Sequence, residues 1–283
     1  LEDSSLSESA LSVGVASFKL KHARRFILFA VFAAAAAYFA PLIGLAFLLC
    51  GVLDVFRHKA RSLELIDRYF LGNGVLTWVI SPINLLADLF SPHNPGVYRL
   101  ENMPAEQRGE IETCTRAFVA NRDRIKEHLS GVSAQSRRTM LTFKWFGTPQ
   151  QIDLRIPEFE RDFRHIKTIA ISVLNTRERT SRHFGPLRLT FRVLYNLEPV
   201  DSRDVFIEVD GVTHYWNENP LFIFDDTFFH RSINDVDQIR YCLFMDIVRP
   251  NYFHAAFDVA VKIASLMMSA FKSIFYKKWS FVR

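Results

Sequence analysis

Between Phe26 and Leu53 the chain carries no charged side chain, reading FILFAVFAAAAAYFAPLIGLAFLLCGVL. A helix rises about 1.5 Å per residue, so about 20 apolar residues cross the hydrocarbon of a bilayer. The run exceeds that length, and the first expectation is a membrane anchor over residues 26–56. A signal peptide fits less well, because the run outlasts an apolar h-region and no polar cleavage segment follows it. A buried core helix is the remaining alternative. Both flanks are basic, with Lys19, Lys21, Arg24 and Arg25 before the run and Arg57, Lys59 and Arg61 after it. A straight span would strand one of these clusters on the wrong side under the positive-inside rule. A hairpin broken near Pro41 and Gly44 keeps both on the cytoplasmic side, but each arm is then about 14 residues, short for a full crossing. Transmembrane helix and hairpin both stay open.

Around the anchor, residues 1–25 are Ser-rich without an apolar pattern and read as a flexible N-terminal tail. Residues 72–92 form a second apolar stretch, interrupted by Pro82 and Asp88. That stretch makes 57–100 a membrane-interfacial or re-entrant segment rather than a second span. Phe dominates the aromatic residues (27, against 8 Tyr and 4 Trp), which favours contact with a core, a bilayer or acyl chains. The net charge of +5 comes from basic residues clustered beside apolar stretches. This suits an anionic membrane surface, and no basic helix with interleaved stacking aromatics points to nucleic acid. Cys50, Cys114 and Cys242 are scattered, neither a disulfide framework nor a zinc site, as in a reducing cytoplasm.

From about 100 to 165 the sequence is polar and helical in pattern, notably EIETCTRAFVANRDRIKEHL. Beyond 166 the period changes to two. In LRLTFRVLYNL the residues Leu187, Leu189, Phe191, Val193 and Tyr195 share one face, and Arg188, Thr190, Arg192, Leu194 and Asn196 the other. VFIEV, the Asp210-Gly211 turn, LFIF and IRYCLFMDIV continue the strands, so the 101–250 region is expected to be mainly β, a sandwich or jelly roll with flanking helices. Residues 251–283 read as a basic amphipathic helix, suited to an anionic leaflet or to packing on the domain.

Among nine histidines, His183 and His230 each adjoin a strand and could aim two imidazoles at one metal. The segments HFGPLRLTFR, IEVDGVTHYW and FDDTFFH, with Arg240 ten residues after His230 and the ending DIVRP, resemble the aspartyl/asparaginyl β-hydroxylase family. LTFKWFG (141–147) adds a weaker likeness, and the apolar N-terminal layout is most similar to the lipid A acyl-chain hydroxylase branch. The resemblance implies a double-stranded β-helix binding Fe(II) and 2-oxoglutarate, with ascorbate as an accessory reductant. His183 and His230 would be the metal ligands. Arg240 would bind the far carboxylate of 2-oxoglutarate, helped by Ser172, and Arg192 would contact substrate. Asp225 and Asp226 read as turn formers rather than ligands.

Three departures from the pattern stand out. Gly185 stands where the lipid A branch has the acid of H-x-D, Leu194 replaces a pocket histidine, and Asn175-Thr176 replaces a Pro-Gly turn. The leading expectation is hydroxylation of a fatty acyl chain in a membrane lipid, lipid A-like or ornithine lipid-like. The enzyme would sit at a bacterial inner membrane with its catalytic domain facing the cytoplasm. Hydroxylation of an aspartyl or asparaginyl residue in a protein, suggested by Gly185 and Ser172, and a degenerate non-catalytic domain, suggested by Leu194, are the alternatives. Oligomeric state is not legible.

Overall fold

The computed structural model describes residues 23–35, 38–72, 77–133, 136–275 and 279–282, so the expected flexible tail lies outside the described residues up to position 22. Twelve strands are described: β1 (Val97–Tyr98), β2 (Arg138–Trp145), β3 (Thr148–Pro149), β4 (Ile166–Leu174), β5 (Glu178–Arg179), β6 (Thr190–Asn196), β7 (Val205–Val209), β8 (Val212–Tyr215), β9 (Leu221–Phe224), β10 (His230–Asn234), β11 (Arg240–Val248) and β12 (Ser280–Val282). The larger sheet has the order β1-β9-β6-β11-β4-β2-β12, with β3 on β2, and the smaller has β5-β10-β7-β8. From β4 to β11 the chain winds between the sheets, placing β4, β6, β9 and β11 in one and β5, β7, β8 and β10 in the other. This is the winding of a jelly roll.

Local sequence explains the strands. VFIEV alternates buried and half-buried residues as β7, and the Asp210-Gly211 turn has positive φ at both residues (46° and 84°), the hairpin geometry that leads into β8. The two faces of β6 separate as its alternation predicts. Phe191 and Val193 join a core with Ile111, Phe118, Ile125 and Leu129 from helices α5 (Ala105–Ala120) and α6 (Arg122–Ser133), whereas Leu194 packs between the sheets with Ile207, Phe222 and Phe224.

Two expectations need correction. The 100–165 region is not helical throughout: β2 and β3 interrupt it. β2 is buried at nearly every position, so it has no alternation to read, and its Lys144 is accommodated by donating to the Arg161 carbonyl at 2.6 Å. The 251–283 tail is not one helix either. A helix spans His254–Phe275, after which Ser280–Val282 pairs in parallel with β2.

The apolar N-terminal run forms a helix over 23–35, called α1, and α2 (Pro41–Phe56). Phe29 and Phe32 of α1 lie edge-on to Trp78, 5.9 and 6.1 Å between centroids. Gly51 of α2 meets the same residue so closely that an added Cβ would lie 2.9 Å from Trp78 Cβ. In one straight helix Phe29 and Gly51 would be about 33 Å apart. The run is therefore a hairpin, and Tyr38, Phe39 and Leu42 near its tip are each more than 80% exposed. Among the described residues no single helix is long and apolar enough to cross a membrane.

Trp78 belongs to α4 (Thr77–Leu89), which contains Pro82. Proline cannot donate to the Trp78 carbonyl, and the Ser81 hydroxyl does so instead at 2.6 Å. The helical segments are joined to the jelly roll by a buried charge cluster. Arg188 pairs with Asp54 and Asp88, and its Nε lies 3.5 Å from Asp225 Oδ2. Arg57 pairs with Asp54 at 2.9 Å and Asp225 at 3.4 Å, and Arg249 with Asp88 at 2.5 Å.

Removing Arg188 leaves three carboxylates sharing two arginines, a net negative charge in a largely buried cluster. Arg188→Met is expected to lower the unfolding free energy by about 3–5 kcal/mol in chemical denaturation. Arg155→Met, at an exposed pair with Glu160, should leave the midpoint nearly unchanged. Buried His58 gives a pH dependence, since burial and then the Arg57 charge push its imidazole down to about 4. An unfolded imidazole titrates near 6.5, so between 6.5 and 4 only the unfolded chain takes up the proton. Stability is then lost as pH falls through that window, by about 3 kcal/mol from this group. Above 6.5 His58 contributes no slope, and His58→Leu should flatten the acid limb of the stability profile.

Candidate active site

His183 and His230 lie opposite each other in an antiparallel bridge, each N–H donating to the other's carbonyl at 2.9 and 3.0 Å. Directly paired residues project to the same side of a sheet. The imidazoles accordingly lie 4.2 Å apart, centroid to centroid. Each Nδ1 is 2.8 Å from a backbone carbonyl, that of Ser181 for His183 and of Phe228 for His230. A carbonyl only accepts, so each Nδ1 carries the proton and each Nε2 presents a lone pair. Burial holds both rings neutral, pushing His183 down to about 4 and His230 well below its ordinary value. Two neutral, tautomer-fixed imidazoles side by side are suited to a divalent metal.

The pair opens into a cavity of about 370 Å³ between the sheets, lined also by Ser172, Arg192, Leu194, Arg240 and Asp246. All five residues expected from the sequence, His183, His230, Arg240, Ser172 and Arg192, line it. Arg240 is 3% exposed and donates from Nη2 to Ser232 Oγ at 2.7 Å. Its Nε and Nη1 are buried without a hydrogen-bond partner among the described residues, and the guanidinium lies 5.1 Å over the Trp216 ring. A buried guanidinium with orphaned donors is costly unless an anion completes it. The donor set thus fits a carboxylate-bearing cosubstrate. Ser172 sits opposite Cys242 across β4 and β11, two residues from Arg240, and donates to the Cys242 carbonyl at 3.3 Å.

Arg192 differs from expectation in its partners. It holds Asp226 and Asp246, each at 2.7 Å, and stacks 3.8 Å over Phe244. Of the two aspartates read as turn formers, Asp225 fits, accepting from the Thr227 N–H at 2.9 Å and hydroxyl at 2.6 Å. Asp226 does not. Its side chain enters the cavity, where burial lifts the carboxyl to about 7 against the pull of Arg192. The carboxyl fills the space beside Gly185, such that a Cβ at 185 would collide with it. An acid therefore stands close to where an H-x-D side chain would begin, supplied by another strand connection. Among the described residues no group of three His, Cys, Asp or Glu side chains is arranged as a metal cluster. Asp226 was missed because FDDTFFH looks like an ordinary turn, and the small residue at 185 was its only sequence trace.

The family model for Aspartyl/Asparaginyl beta-hydroxylase matches residues 110–250. The ornithine lipid ester-linked acyl 2-hydroxylase of Rhizobium tropici is 32% identical over 88 residues, 30% of this chain and 31% of that protein. The matched part thus spans about a third of the relative's length. Among solved structures, a 2OG-Fe(II) oxygenase family oxidoreductase from Burkholderia pseudomallei is 14% identical, with TM-score 0.28, covering 40% of this chain and 68% of that one. A cupin-2 domain from Rhodospirillum rubrum is 12% identical, with TM-score 0.23, covering 38% and 70%.

Because residues 185 and 226 share one volume, Gly185→Ala is expected to destabilise the protein by about 1–3 kcal/mol in thermal or chemical unfolding. In an Asp226→Gly background the same substitution should lose most of that effect, a coupling read from the double-mutant cycle.

Proposed function

Because residues 110–250 belong to the Aspartyl/Asparaginyl beta-hydroxylase family, we propose that this protein is an Fe(II)- and 2-oxoglutarate-dependent hydroxylase of a fatty acyl chain in a membrane lipid. The observation that carries the cofactor reading is one cavity holding both a pair of neutral histidines and a buried arginine with orphaned donors. His183 and His230 would hold the metal through Nε2. Arg240 would take the distal carboxylate of 2-oxoglutarate as a charge-assisted bond, with Ser172 beside it. When bound, the iron and cosubstrate together supply an oxidant, drawn from O₂, that converts a C–H bond to C–OH while 2-oxoglutarate becomes succinate and CO₂.

The protein's own contribution is placement and exclusion of water. Arg192 fixes Asp226 and Asp246 at the cavity wall, keeping that carboxyl beside Gly185. Leu194, Ile207, Phe224 and Phe244 give the interior an apolar side, beside polar Thr180, Thr190 and Ser232, and that side would suit a methylene chain. The lipid reading is further supported by the cavity's lining, which includes Arg25 at the start of the hairpin and Arg68 and Gly72 from the segment after α2. The apolar hairpin would dip into one leaflet without crossing it, with exposed Arg24, Lys59 and Arg61 at its ends facing anionic head groups on the cytoplasmic side of an inner membrane. The relative's name specifies an ester-linked acyl 2-position in an ornithine lipid, and an ornithine-type lipid is accordingly the substrate to test first.

Aspartyl or asparaginyl hydroxylation of a protein is the second reading, favoured by Gly185 and Ser172. Purified full-length protein in lipid nanodiscs, given Fe(II), ascorbate and 2-oxoglutarate, separates the two. Succinate release matched by lipid carrying one added oxygen is expected, and peptide-stimulated succinate without lipid product would replace this reading with the second. No succinate and no bound iron would sink both. His230→Ala is expected to abolish lipid product. Arg240→Met should raise the 2-oxoglutarate requirement by about 100-fold, as expected for losing a buried charged partner.

A further inference from the structure

The last turn of the hairpin and the residues after it are packed against the histidine pair's own neighbours. Arg57 donates from Nη2 to Thr227 Oγ1 at 2.6 Å and lies 3.4 Å from Asp225, so it grips the turn that carries Asp226. Its guanidinium carbon is 3.8 Å above the Phe228 ring. The Phe228 carbonyl is the one that accepts the Nδ1–H of His230. His58, 1% exposed, is wedged edge-on between Phe228 at 5.3 Å and Phe184 at 5.5 Å, and Phe184 follows His183 directly. The Lys59 N–H reaches both Asp210 carboxylate oxygens at 3.0 Å, and the Asp210 N–H in turn donates to the Phe229 carbonyl at 3.0 Å. Phe229 stacks on Phe184, 4.8 Å between centroids.

Three consecutive residues at the hairpin root therefore touch the segments on either side of the bridge that sets the imidazole spacing. A tether would need none of these contacts. We propose that Arg57 is a positioning residue for the metal-binding pair, holding the Asp225–Phe228 turn so that His230 Nε2 and His183 Nε2 converge. The hairpin is then part of the frame of the metal site, and its seating determines metal affinity. The inference rests on the metal reading of His183 and His230.

The test uses the full chain in nanodiscs containing anionic lipid, titrated with Co(II) and followed by its visible ligand-field spectrum, with thermal unfolding of the metal-free protein alongside. Arg57→Met is expected to weaken Co(II) binding at least tenfold and to change the spectrum. Arg57→Lys, which restores the charge without the planar fork, should recover only part of the affinity. Arg61→Met, an exposed arginine that donates to the Phe56 carbonyl at 3.3 Å, should stay within twofold of the wild type. Wild-type affinity and spectrum in a folded Arg57→Met protein would overturn the proposal while leaving the metal reading intact. Failure of the wild type itself to bind Co(II) would overturn both. If Arg57→Met does not fold, Thr227→Val removes the Arg57 bond together with the hydroxyl's bonds to Asp225 and Arg188, with a threefold or larger loss expected and unchanged affinity counting against the proposal.

Discussion

Arg188 is the point on which the arrangement hinges. It is wholly buried, and its guanidinium meets Asp54 from the hairpin, Asp88 from α4 and Asp225 from the turn before β10. With Arg57 and Arg249 the cluster has three positive and three negative side chains, so its charges balance, with half-buried Asp88 at its edge. Tyr69 adds a 2.6 Å bond to Asp54, and Asn94 one of equal length to Asp225. Hydrophobic contact alone would let an apolar hairpin slide on an apolar sheet edge. A largely buried ionic cluster favours the geometry in which every charge is matched. The relative position of hairpin, α4 and jelly roll is fixed there, and the cavity wall they share is fixed with it.

The site follows from the same economy of backbone and charge. The histidine pair needs no long-range coincidence, because the two residues exchange backbone hydrogen bonds and their side chains have to emerge together. Arg240 is different. It is buried with nothing anionic in contact among the described residues, an unfavourable placement that an anionic ligand would offset. An arginine that makes a poor core residue is the kind of residue the proposed binding role requires.

Much of this was readable in the chain. Period-two alternation in LRLTFRVLYNL separated the helix-facing side of β6 from the cavity-facing side correctly, and the Asp210-Gly211 turn set the β7–β8 register. The five site residues named from the sequence all line one cavity. What stayed hidden has common causes. β2 is buried on both faces and loses its alternation, so it passed for part of a helical region. The β12 pairing is a contact between residues 139 and 280, for which no local pattern exists. A hairpin and a straight span contain the same residues, and only the shared contact with Trp78 distinguishes them. Arg188 looked like one more polar-face residue of a strand, although it precedes β6 and turns into the charge cluster. Asp225 and Asp226 are adjacent and alike in sequence, yet one closes a turn and the other enters the cavity.

The exchange of volume between Gly185 and Asp226 bears on how such sites change over time. A side chain on one strand connection and a carboxyl on another compete for a single space, so neither position is free to vary alone. A descendant acquiring an acid at 185 while keeping Asp226 would have to crowd two carboxyls together. One losing Asp226 first would pass through a stage with no acid beside residue 185. The two arrangements are thus separated by an unfavourable intermediate in either order.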